Sequence, residues 1–129
     1  MILYNIEFGG LFFYFNKGSA VVFLDTIKRI RSLEEHSEEA INIDDGKKIV
    51  LEFFLKNNEE IYMRKNKIDI YISEEALEYA VYKLNEFLKN GYFSPAEFYA
   101  FEDRKKKKNK TIDVYFMETP SDVLHPNVQ

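Results

Sequence analysis

Lys67-Ile68-Asp69-Ile70-Tyr71-Ile72-Ser73-Glu74-Glu75-Ala76-Leu77 opens the stretch, ending at Gly91, that decides the fold. Ile68, Ile70 and Ile72 alternate with Asp69 and Tyr71, the period of a strand with one buried face. Ser73 stands where an N-cap belongs, and Glu74 and Glu75 suit the positive end of a helix dipole. Leu77, Val81, Leu84 and Leu88, flanked by Ala76, Ala80 and Phe87, form an apolar stripe at helical spacing. Asn90-Gly91 ends the helix, with Gly91 as the left-handed terminal residue. A strand running straight into a capped helix is the unit around which the rest is arranged.

Upstream, Ile2, Tyr4, Ile6 and Phe8 alternate with more polar neighbours, and Gly9-Gly10 joins them to the apolar run Leu11–Phe15. Two strands joined by Gly-Gly predict a hairpin with positive φ at both glycines. Ser19 is a candidate cap for a first helix over residues 20 to about 35, with Ala20, Phe23, Leu24, Ile27, Ile30 and Leu33 on one face. The acidic stretch that follows ends in the turn signal Asp44-Asp45-Gly46. Strands are then predicted over 49–56, 61–64 and 67–72, and after the main helix over 96–102 and 111–117. Short turns between strands call for antiparallel pairing, so the expected fold is α+β: one antiparallel sheet of about 5–7 strands with two helices on one face. Residues 1–117 form a single domain in this reading, and 118–129, with Pro120 and Pro126, an extended or mobile tail.

One echo invites a duplication. Ile68-Asp69-Ile70-Tyr71-Ile72 and Ile112-Asp113-Val114-Tyr115-Phe116 share an in–out pattern, and the coarse order of elements also repeats. Any half-buried strand of one sheet tends to show such alternation, and that simpler account is preferred.

The 129 residues carry 12 Phe and 9 Tyr but no Cys and no Trp, which excludes disulfides, thiolate nucleophiles and thiolate metal sites. The first strand starts at Ile2 and the longest apolar region, residues 11–24, is interrupted, so a cytoplasmic protein without a membrane span is expected. Neither His36, among acids, nor His125, between prolines, resembles an acid–base centre; both read as surface residues. There is no G-x-G-x-x-G, P-loop, G-x-S-x-G or H-E-x-x-H. The paired acids, such as Glu59-Glu60 and Glu74-Glu75, fall at turns and a helix start, and no catalytic constellation, cofactor or metal site is implied.

Three surface features remain. Glu34, Glu35, Glu38, Glu39, Asp44 and Asp45 form an acidic pole without Lys or Arg, and Arg104, Lys105, Lys106, Lys107, Lys108 and Lys110 form a basic one. Asp69, Tyr71, Asp113 and Tyr115 would make a polar patch on the outer sheet face if their strands were neighbours, able to hydrogen-bond a small molecule. Catalytic poverty, a small build and the acidic pole favour a non-enzymatic protein-binding module, of the inhibitor or immunity type, that masks a basic partner. The alternatives are a nucleic-acid-associated accessory protein using the basic hairpin tip at 104–110, or a small-molecule-binding protein using the Asp/Tyr sheet face. The second strand, apolar on both faces, is expected to be central or partly covered by the tail; left at a sheet edge and covered by a second copy it would favour a homodimer.

Overall fold

The computed structural model describes residues 1–105 and 110–120. The chain runs β1 (Ile2–Glu7), β2 (Gly10–Phe15), α1 (Lys17–Leu33), β3 (Glu35–Asn42), β4 (Lys48–Leu55), β5 (Glu60–Met63), β6 (Lys67–Ile72), α2 (Glu74–Asn90), β7 (Glu97–Asp103) and β8 (Thr111–Glu118). The strands close into a barrel in the order β1-β2-β8-β7-β5-β6-β4-β3. The expected open antiparallel sheet is therefore wrong in strand number, closure and direction. Each hairpin is antiparallel, as its short turn requires, but β1·β3, β2·β8, β4·β6 and β5·β7 are parallel. Turn length constrains only the two strands it joins. Each helix is a crossover that returns the chain parallel to the strand two positions earlier, α1 between β1 and β3 and α2 between β5 and β7.

The missing strand is β3. Its inward positions carry His36, Glu38 and Ala40, so the apolar alternation that marks a strand is absent. Tertiary partners supply what pattern does not: Thr26 Oγ1 on α1 donates to Glu38 Oε1 at 3.0 Å, and His36 Nε2 lies 2.9 Å from the same oxygen.

The helices form for the local reasons foreseen, with one shift of register. Asn16, not Ser19, caps α1, while Ser19 takes the third helical position and accepts from Asn16 N–H, a reciprocal capping box. Ser73 accepts from Ala76 N–H and Gly91 closes α2 at φ 85°, as expected. In the first hairpin the positive-φ pair is Phe8 (51°) and Gly9 (75°), one residue earlier than Gly9-Gly10. Gly10 lies instead in β2, where a Cβ would meet Asp113 O and Tyr115 Cε1 at 3.2 Å.

The molecule divides into two ββαββ halves, β1–β4 and β5–β8, and every pairing within one half recurs in the other. The parallel contacts β2·β8 and β4·β6 exchange under the same relation and weld the halves together. Both helices are 17 residues long. The internal repeat is thus a property of the architecture. The echo that suggested it, between β6 and β8, links strands that are not equivalent: β6 corresponds to β2, and β8 to β4.

One core fills the barrel and the inner faces of both helices. Phe116 of β8 is its hub, with ring contacts to Phe13, Phe15, Phe23, Phe93 and Phe98 at 4.5–6.4 Å between centroids. Arg31 of α1 reaches Glu74 in the first turn of α2 at 2.7 Å. β2 is paired on both sides, by β1 and β8, so it is not a sheet edge. β8 extends to Glu118, and Thr119 N–H donates to Phe15 O. Residues 121–129, with His125, lie outside the described residues.

Candidate functional site

The acidic pole is built by β3 and its two ends. Glu34 caps α1 in the left-handed region at φ 64°, which turns the chain directly into the strand. Strand alternation then sends Glu35, Ser37, Glu39 and Ile41 to the outer wall, opposite Phe54, Glu52, Val50 and Lys48 of β4. Asp44 and Asp45 sit in the β3–β4 turn, where Asp45 accepts from Lys47 N–H and Asp44 accepts from Asn5 Nδ2 at 2.9 Å. Glu38 separates from the group: it faces α1 and is held by Thr26, His36 and, at 3.9 Å, the terminal ammonium. His36, expected at the surface, is half-buried in the same contact. Glu34, Glu35, Glu39, Asp44 and Asp45 are exposed, and among the described residues none forms an ion pair. Apolar surface lies among them: Leu33 is 63% exposed, Val50 37%, and Phe54 is partly open.

The Asp/Tyr patch does not assemble. β7 and β5 lie between β8 and β6, so Asp113 and Tyr115 occupy one wall and Asp69 and Tyr71 another. Tyr115 stacks on Phe12 at 4.6 Å and Asp113 is exposed. Asp69 is 2% exposed and pairs with Arg64 at 2.8 Å, while Tyr71 Oη accepts from Arg104 at 2.8 Å. The Arg64 and Arg104 guanidiniums both lie over the Tyr62 ring, at 4.8 and 5.7 Å. Lys67 bridges to Glu52 at 2.5 Å. Arg64 and Lys67 of this wall are therefore paired with carboxylates, while Arg104 is held by a hydroxyl and two rings. Of the basic run, Arg104, Lys105 and Lys110 are exposed, and Lys106, Lys107 and Lys108 lie outside the described residues.

Sequence reading missed one feature entirely. Lys83 of α2 is 5% exposed, and its ammonium donates to Pro95 O and lies 5.5 and 5.8 Å from the Tyr79 and Phe93 ring centroids. Burial pushes its amine below its ordinary value, and the field of Glu97 opposes this more weakly. It borders a cavity of about 200 Å³ between the second half of α2 and the α2–β7 connection. A signal existed: Ala80, Lys83, Leu84 and Phe87 follow helical spacing, which places Lys83 on the buried face.

Among the described residues no three His, Asp or Glu side chains are placed to hold a metal ion, and no helix is long and apolar enough to cross a membrane. Comparison with known protein families, curated proteins and solved structures gives no significant match. The molecule's class is set by its own geometry: a closed, eight-stranded mixed barrel of two ββαββ halves, sharing one core with two helices.

Proposed function

We propose that the protein is a non-enzymatic binding module, a small cytoplasmic inhibitor of the immunity type, which covers a basic protein with the outer wall of β3 and β4. One observation carries the reading: five exposed acids, none of which forms an ion pair among the described residues, share the β3–β4 wall and its ends with exposed Leu33 and Val50 and partly open Phe54. Unpaired acids project a field that draws a cationic surface in, and apolar side chains at the centre supply the desolvated contact that holds it. At the opposite pole Arg104 is already held by the Tyr71 hydroxyl, and the neighbouring cations Arg64 and Lys67 are paired with Asp69 and Glu52.

The test replaces Glu34, Glu35 and Glu39 with Gln and Asp44 and Asp45 with Asn, sparing Glu38 because it braces β3 against α1. A basic protein captured from lysate of the source cells by the native chain should associate with this variant about tenfold more slowly or worse at low salt, with little change in dissociation. Association that is equally fast, or capture of nuclease-sensitive material lost only with Lys105–Lys108 neutralised, would reject the proposal.

A further inference from the structure

The cavity at Lys83 is independent of the β3–β4 wall and has the make-up of a ligand pocket. Tyr79, Tyr82, Tyr92 and Phe93 line it, Lys83 contributes the cation, and Glu86 lies on its wall. Its volume of about 200 Å³ exceeds the ~150 Å³ cavity that suffices for benzene. Tyr82 is 60% and Tyr92 54% exposed, two large aromatic surfaces left open at a concavity although the core has places for many such rings.

The Lys83 ammonium is the unbalanced element. It is nine-tenths buried, and among the described residues its hydrogen-bond partner is the Pro95 carbonyl and no carboxylate forms an ion pair with it, Glu97 acting on it only from a distance. A buried cation with one neutral acceptor keeps two N–H donors available and has no carboxylate in direct contact. We propose that the cavity binds a small planar aromatic monocarboxylate, its carboxylate on Lys83 Nζ and its ring among Tyr79, Tyr82 and Phe93. The rings alone would suit a cation as well, but the fixed charge of Lys83 repels one. Glu86, which shares Oε1 with Asn90 Nδ2 at 3.5 Å, disfavours a second negative group on the ligand. Charge and shape together select a monoanion with a flat apolar body.

Benzoate, titrated into the full chain and followed by NMR of the Lys83 side chain and the tyrosine rings, is the probe. Saturable shifts at Lys83, Tyr79 and Tyr82 are expected, with uncharged benzamide at least about tenfold weaker because it lacks the charge-assisted bond. Lys83→Met keeps the apolar stem and should weaken benzoate by a similar factor. Tyr82→Ser, at an exposed position that leaves the fold intact, should weaken benzoate several-fold and decides the matter if Lys83→Met does not fold. No shift up to the solubility of benzoate, equal binding of benzamide, or benzoate binding untouched by either substitution would overturn the site.

Discussion

A single side chain, Lys83, shows how burial alone changes chemistry. The folded chain holds its amine below the ordinary value of 10.5, so between the lowered value and 10.5 the unfolded chain binds more protons than the folded one. Its contribution to stability therefore rises as pH climbs through that window. Relative to Lys83→Met, the native chain should gain stability in urea melts between pH 7 and pH values approaching 10.5. Tyr4, Tyr14 and Tyr99, all raised by burial, act in the opposite direction but equally in both chains, so they cancel in the difference. A gap that stays constant with pH would mean that the amine is as well solvated as in the unfolded chain. Phe8 makes the converse point, since it is fully exposed and sits at φ 51°, where an aromatic residue gains nothing from burial and pays for its conformation. Phe8→Asn should stabilise the hairpin by about 1 kcal/mol, read as a higher denaturation midpoint at unchanged slope.

At the scale of the element, the two helices end alike with different residues. Glu34 closes α1 at φ 64° and Gly91 closes α2 at φ 85°, each donating its N–H to the carbonyl four residues back. Glycine adopts this geometry freely and a side chain does not. Glu34→Gly is expected to add about 1 kcal/mol of stability, and Gly91→Ala to remove about as much. A stabilising Gly91→Ala would show that the two termini are not conformational equivalents. The cost carried by Glu34 keeps a carboxylate where α1 enters β3, at the edge of the acidic wall; association slowed by Glu34→Gln would support that role. β3 itself is a strand made by its neighbours: β1 and β4 pair with it on either side, although its own sequence is poor in strand-forming residues.

At the scale of the whole molecule, closure makes the halves interdependent. β2·β8 and β4·β6 join β1–β4 to β5–β8, and Phe116 of the second half packs on Phe13, Phe15 and Phe23 of the first. Neither half encloses its own apolar face, so a single cooperative transition is expected despite the internal repeat. Phe116→Ala should cost about 3–5 kcal/mol, with tyrosine fluorescence and far-UV circular dichroism moving together. Separate transitions for the two probes would show that the halves fold independently.

Much of the local structure was legible in the sequence. The strand-to-helix unit from Lys67 to Gly91 held, because its caps and periodicity are set by neighbours in the chain. The other hairpins were found to within a residue or two for the same reason. Three things lay beyond it. β3 was hidden because its inward side chains are polar and are satisfied by α1. Lys83 was hidden because an apolar stripe is read from its hydrophobic members, although its spacing marked the buried face. The third is the barrel: parallel pairings such as β2·β8 join residues about a hundred positions apart, and no local pattern encodes their direction. The sequence by itself determined the elements, their caps and the composition of one aromatic core. Only the tertiary structure decided which strands meet, because closure depends on all inner faces being covered at once. It thereby dispersed the Asp/Tyr patch, left Glu35 and Glu39 of β3 exposed on one wall, and enclosed Lys83 beside a cavity.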